Sequence, residues 1–307
     1  MELGYDGRLF ILAFDHRGSF QKKMFGIEGD PTPEQTDTIS DAKRLIFEGL
    51  KRAAEEDADP HAIGALVDEQ FGSEVPSEAK ASAMKLAMPV EKSGQKEFDF
   101  EYGEAFGNHI ERFDPDLTKV LVRLNPEGDE VMNRRQVERL ARLSDWLHER
   151  GRKFLFELLV PAEEAQLEMV AGEESRYDLE LRPELMRAAI AYIQEAGVEP
   201  DIWKIEGLDR QEDCEAIVEQ ARAGDRDGVV CVVLGRGADD EQVDRWLRAG
   251  APVEGYVGFA IGRSIWWDAL KGYLDGSLER VDAAEQIARN YQRFIRVYSE
   301  SEAVALR

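Results

Sequence analysis

Asp201-Ile202-Trp203-Lys204-Ile205-Glu206 sets an amine in the middle of a short β-rich run. A strand alternates its side chains between two faces, so Ile202, Lys204 and Glu206 share one face and Trp203 and Ile205 the other. The bulky pair suits packing against helices, which turns Lys204 the opposite way. What lies on that opposite side depends on how many similar runs the chain contains.

Working outward from it, eight such runs are found, at 9–14, 63–68, 83–88, 119–124, 153–160, 201–205, 229–234 and 256–261. Helical patterns fill most of the gaps. The segment 35–56 carries apolar residues at Ile39, Ala42, Leu45, Ile46 and Leu50, a helical spacing. The segments 137–150, 183–196, 214–223 and 242–249 read the same way, with Pro183 tolerated in a first turn and Gly197 and Gly250 as stops. After Ala283 a closing amphipathic helix is expected on Ile287, Tyr291, Phe294, Ile295 and Tyr298. Strand–helix alternation repeated eight times predicts an α/β fold closed as a (β/α)8 TIM barrel, with residues 1–307 as a single domain. A doubly wound sheet would want a glycine-rich phosphate loop after its first strand, and Asp15-His16-Arg17-Gly18-Ser19 is not one.

Barrel strands are covered on both faces, so a charge within them is costly unless it has a task. Several runs carry one: Lys119 and Arg123 share a face with Leu121, Glu157 is the only carboxylate of its run, and the first two runs end at Asp15 and Asp68. Low dielectric and neighbouring cations such as Lys119 or Arg123 favour a neutral, nucleophilic Lys204 amine. Even-numbered strands share layers of barrel side chains, so Lys119 and Lys204 are expected to meet, with Glu157 or Asp15 moving protons. Gly235-Arg236-Gly237 follows the seventh run and Gly262-Arg263-Ser264 the eighth, where such barrels usually bind phosphate. Arg17 and Asp68 at strand ends, together with Arg123, Gly235, Arg236, Gly262 and Arg263, are the expected substrate and phosphate ligands.

Composition narrows the partners. The chain has 307 residues, 43% of them hydrophobic, and no apolar run long enough to span a bilayer. Its 63 acidic against 39 basic residues leave a net charge of −24, which repels nucleic acid and anionic membranes. The N-terminal residues lack a basic segment followed by an apolar stretch, which predicts a cytoplasmic address. Cys214 and Cys231 make no disulfide framework, and Cys231 reads as a small buried apolar residue. Trp266-Trp267 reads as helix packing and the charge-rich stretch 163–184 as a solvated loop or a lid. Glu91-Lys92 is either a surface ion pair or part of a pocket rim. No cofactor or metal is expected, and homo-oligomerisation stays open.

Phe14-Asp15-His16-Arg17-Gly18, Asp68-Glu69-Gln70-Phe71-Gly72, Glu91-Lys92-Ser93-Gly94, Lys119-Val120-Leu121, Phe156-Glu157, Trp203-Lys204-Ile205-Glu206 and Gly262-Arg263-Ser264-Ile265-Trp266 follow one another in an order that resembles the tagatose 1,6-bisphosphate aldolases. The pattern is closer still to the aldolase-like domain often fused to 5-dehydro-2-deoxygluconokinase in inositol catabolism, and it covers the chain from Leu9 to about Trp267. The resemblance implies a class I aldolase, a lyase in which Lys204 forms the Schiff base and Glu157 is the acid/base. Lys119 and Asp15 would flank the reacting groups, and Arg263 would bind phosphate. His16 stands where the tagatose enzymes typically carry glutamine, and Arg123-Leu124-Asn125 where they carry tyrosines.

The expected reaction is reversible aldol cleavage of a phosphorylated keto-sugar or keto-acid to dihydroxyacetone phosphate and an aldehyde. Candidate substrates are 2-deoxy-5-keto-gluconate 6-phosphate, tagatose 1,6-bisphosphate and a sulfonated fructose phosphate. A zinc-dependent aldolase would need several converging histidines, and of the four present only His16 sits at a strand end. A non-catalytic sugar-phosphate-binding barrel needs no buried amine beside a carboxylate. A sugar-phosphate isomerase is the remaining alternative, since one fold hosts many chemistries.

Overall fold

Parallel hydrogen bonding carries the chain through β1 (Leu9–Ala13), β2 (Ile63–Leu66), β3 (Lys85–Pro89), β4 (Leu117–Arg123), β5 (Lys153–Leu159), β6 (Ile202–Glu206), β7 (Val230–Leu234) and β8 (Tyr256–Ile261). The strands pair in sequence order and β8 returns to β1, closing a (β/α)8 barrel. The structure is a computed structural model that describes residues 3–55 and 60–305. All eight expected strands are present, and their ends differ from expectation by no more than two residues.

The period-two alternation divides the core in two. Leu9, Ile11, Leu117, Leu155, Ile202, Val230 and Val232 fill the barrel as one apolar cluster. Their neighbours, among them Leu12, Val120, Phe154, Phe156, Trp203 and Ile205, face outward into a second cluster shared with the helices. Ile202 therefore points in while Trp203 and Ile205 point out, as their bulk requires. Phe156 and Trp203 pack against each other, ring centroids 4.9 Å apart.

Local chemistry starts the helices. At Pro33–Glu55, Thr32 and Gln35 cap reciprocally, the Thr32 N–H donating to Gln35 Oε1 (2.8 Å) and the Gln35 N–H to Thr32 Oγ1 (3.2 Å). Glu56, the expected last residue of this helix, lies outside the described residues. The helix expected at 137–150 begins earlier, at Glu130, because Asp129 accepts a hydrogen bond from the Met132 N–H (2.9 Å). Arg182–Glu195, Gln211–Arg222 and Asp240–Gly250 match the other expected helices to within a turn.

The closing helix, Arg280–Ala305, lies along Pro33–Glu55, and a Cβ on Gly49 would come within 2.5 Å of Ile287. Close approach thus demands the small residue. Tyr291 and Tyr298 donate to the carbonyls of Phe10 (2.6 Å) and Tyr256 (2.8 Å), tying this helix to the β1–β8 seam.

Of the two readings of the stretch 163–184, the solvated loop is corrected: it forms three helical turns, Glu164–Met169, Glu174–Arg176 and Tyr177–Leu181, leading into the helix Arg182–Glu195, and Leu167, Glu174, Tyr177 and Asp178 line the cavity of the barrel as a lid would. Buried Val170 and Tyr177 anchor it, and the Tyr177 hydroxyl donates to the Val160 carbonyl (2.8 Å). None of the described helices is long and apolar enough to cross a membrane.

Candidate active site

Above the apolar floor the inward-facing positions turn polar. On β4 the inner residues run Leu117, Lys119, Leu121, Arg123; on β5 Leu155, Glu157, Leu159; on β6 Ile202, Lys204, Glu206. They open into a cavity of about 630 Å³ at the C-terminal ends of the strands. This is the face where barrel enzymes carry their chemistry.

Sheet register brings the central groups together. Glu157 pairs with Leu121 on one side and Lys204 on the other, so its carboxylate lies between the two lysine strands. Glu157 Oε2 stands 3.0 Å from Lys204 Nζ and 3.0 Å from Lys119 Nζ. Lys119 also donates to Asp15 Oδ2 and Glu91 Oε1, each at 2.8 Å. Lys119, Glu157 and Lys204 are buried to within a few per cent of completely.

The charge states follow from these contacts. Burial alone would lower the pKa of Lys119, but Asp15, Glu157 and Glu91 outweigh it and hold the ammonium well above its ordinary range. Burial would raise Asp15 and Glu157, yet Lys119 and Lys204 keep both carboxylates below theirs. For Glu91 burial prevails over Lys119 and Arg17, and its pKa rises. Glu206 is likewise raised by burial, despite Arg182 and Arg236. Among the described residues no group of His, Cys, Asp or Glu converges as a metal ion needs; Asp15, Glu91 and Glu157 converge on an ammonium instead.

The basic residues divide by what already occupies them. Arg17 lines the cavity but is spent on protein groups, donating to the Glu91 carbonyl (2.5 Å) and to Glu101 Oε2 (3.2 Å). Arg236 is committed as well, with Asp178 at 2.8 Å and Glu206 at 3.1 Å. It thereby ties the end of β6 to the helical cover. Arg263 donates to the Arg236 carbonyl (2.5 Å) and Arg123 to the Gln95 carbonyl (3.0 Å). Among the described residues neither has a carboxylate within ion-pair distance. Gly262 lines the cavity and precedes the helix Arg263–Leu274.

Two expected ligands lie elsewhere. The chain leaves β2 after Leu66, and Asp68 caps the turn Glu69–Gly72, accepting from the Phe71 N–H (3.0 Å). It also pairs with the buried Lys43, so Asp68 supports structure and does not line the cavity. Gly235 does not line it either, since a Cβ there would face Ile261 at 3.1 Å; Gly237, next to Arg263, does.

Of the ambiguous pair at β3, Glu91 is inside and Lys92 sits at the rim against Asp99 (3.3 Å). The signal was legible: continuing the inner phase of β3 from Ala87 through Pro89 reaches Glu91. His16, one of the positions that depart from the tagatose enzymes, lines the cavity, and so do Tyr177 and Asp178, which belong to the stretch that reads in sequence as a solvated loop or a lid and are not singled out within it.

Solved structures that share the fold include the following three. A fructose-bisphosphate aldolase from Plasmodium falciparum, in complex with TRAP and a small-molecule inhibitor, aligns with a TM-score of 0.68 at 14% identity, covering 95% of this chain and 91% of that one. A protein of Corynebacterium glutamicum, Cgl0159, aligns at 0.58 and 16% identity, with 95% and 88% coverage. A Schiff-base-forming fructose-1,6-bisphosphate aldolase aligns at 0.57 and 15% identity, with 94% of each chain covered. At such identities the likeness is one of fold. No curated protein matches in sequence. A family model described as "Uncharacterized protein conserved in bacteria (DUF2090)" matches residues 5–302.

Proposed function

The chain belongs to the DUF2090 family, and from the chemistry of its cavity we propose that it is a class I aldolase, a lyase that reversibly cleaves a phosphorylated keto-sugar or keto-acid. The observation that carries this reading is a single buried carboxylate oxygen, Glu157 Oε2, standing 3.0 Å from each of two lysines. One amine with a proton acceptor beside it is equipped to form an imine; the second, held protonated, supplies a fixed charge for the substrate's oxygens. Two of the proteins sharing the fold carry the name fructose-bisphosphate aldolase, one of them described as Schiff-base-forming.

In this scheme Lys204 Nζ passes its proton to Glu157 and adds to the ketone carbon. Glu157 returns the proton to the carbinolamine hydroxyl, which leaves as water and yields an iminium. Asp15 or Glu157 then takes the proton from the hydroxyl on the β carbon. The bond between α and β carbons breaks, its electron pair becomes the enamine, and an aldehyde departs. Protonation of the enamine carbon and addition of water release dihydroxyacetone phosphate and the free lysine.

Arg263 and the backbone N–H groups that open the helix Arg263–Leu274 suit the phosphate. Arg123 ends β4, which lies across the closed barrel from β8, and would meet the far end of the substrate. That arrangement fits 2-deoxy-5-keto-gluconate 6-phosphate, which has a phosphate at one end and a carboxylate at the other. It would give the enzyme a cytoplasmic role in inositol catabolism.

Borohydride reduction in the presence of dihydroxyacetone phosphate should leave a stable adduct on Lys204, located by peptide mass spectrometry. Undiminished cleavage by Lys204→Ala would overturn the reading. A retro-aldol panel of the three candidate substrates, coupled to detection of dihydroxyacetone phosphate, would assign the sugar.

A further inference from the structure

One polar group in the cavity has no part in the scheme above. His16 follows Asp15 directly and lines the cavity at its junction with the turn that precedes Arg263. Its ring is fixed from both sides. A Cβ on Gly262 would lie 3.2 Å from His16 Cε1, so the imidazole rests against that backbone. Trp266 meets it edge-on, centroids 5.8 Å apart, and is itself anchored by its indole N–H, which donates to the Ala13 carbonyl (2.9 Å). Nδ1 is buried without a hydrogen-bond partner, which leaves Nε2 as the nitrogen a ligand can reach.

We propose that His16 is a specificity-determining residue that hydrogen-bonds the free hydroxyl on the ketone half of the substrate, selecting a hydroxyketone phosphate over its deoxy counterpart. This rests on the Schiff-base reading. A ketone joined to Lys204 with its phosphate at Arg263 has two carbons flanking the carbonyl, one bearing phosphate and the other bearing that hydroxyl. His16 follows Asp15 in the chain, rests against Gly262, the residue before Arg263, and shares the cavity lining with Lys204, which puts it on the same wall as the groups that would hold the ketone. Its charge state favours a hydroxyl over a phosphate as partner. Burial, aided by Arg263, Lys204 and Lys43 and opposed by Asp15, pushes the imidazole down to about 4, so it is neutral at physiological pH. Through Nε2 a neutral imidazole either donates or accepts a single hydrogen bond, and a hydroxyl can answer it in either role, whereas a phosphate is better served by the permanent charge of Arg263.

The test compares two ketones that differ only in the hydroxyl, dihydroxyacetone phosphate and hydroxyacetone phosphate. What is measured is the concentration of each that half-saturates borohydride labelling of Lys204. The wild type should prefer the hydroxylated ketone by roughly tenfold or more, the worth of one buried hydrogen bond. His16→Leu should bring that ratio close to one, and His16→Gln, which keeps a donor and an acceptor, should retain most of it. Equal labelling of the wild type by both ketones would overturn the inference, and this needs no variant to fold. So would a His16→Leu protein, shown folded by thermal melting, that weakens both ketones equally. Absence of any imine in the wild type is a different result: it removes the Schiff-base reading itself.

Discussion

Lys119 shows how a buried charge is kept. One ammonium lies within 3.0 Å of three carboxylates, from Asp15, Glu91 and Glu157, and together they outweigh the penalty that burial places on its charge. It is therefore a fixed charge and no proton carrier at neutral pH. Glu157 and Asp15 are the converse case, carboxylates that Lys119 and Lys204 hold below their ordinary ranges. Because their folded pKa values are depressed, their contribution to stability is complete above the unfolded-state value of ~4 and is lost as pH falls through the lower folded value. For the same reason, neither carboxylate of the free enzyme should produce an acid limb above pH ~4 in the profile of kcat/KM for cleavage. An acid limb centred near pH ~6 that vanishes in Glu157→Gln would show that the lysines do not control this carboxylate.

At the scale of elements, closure of the barrel depends on β1 meeting β8, and the seam is narrow at one point. Gly258 has a φ of +149°, and a Cβ there would lie 2.1 Å from the Leu9 carbonyl oxygen. Only glycine lets the two backbones keep their pairing, Leu9 opposite Gly258. Gly258→Ala should cost about 2–4 kcal/mol, read as a fall in the denaturant midpoint. A change within about 0.5 kcal/mol would mean that the seam relaxes freely. The helical cover over the cavity is tied down at a different point, where Arg236 bridges Asp178 and Glu206. Arg236 adopts a positive φ of 49° while doing so, and Gly237 follows at 74°. An arginine that reads in sequence as a phosphate ligand is thus an internal tie between the barrel and its cover.

Across the whole molecule, 63 acidic residues face 39 basic ones, and the excess cannot be paired. Screening that self-repulsion should stabilise the fold: raising KCl from ~0.05 to ~1 M, which shrinks the Debye length to a few ångströms, should raise Tm by several degrees. A fall in Tm over the same range would show that the surface ion pairs outweigh the net repulsion. The barrel itself was legible in the sequence, because strand alternation and helix periodicity are local patterns that each segment carries alone. Ile202, Lys204 and Glu206 share a face by backbone geometry, and the bulk of Trp203 and Ile205 decides which face is inner. Which charges meet is another matter. Glu157 between Lys119 and Lys204 depends on the register of three strands, and the occupation of Arg236 and the retreat of Asp68 depend on where the chain leaves its strands. Periodicity is a property of neighbours along the chain; partnership between charges is a property of distance. Only closure of the barrel sets that distance for residues scores of positions apart.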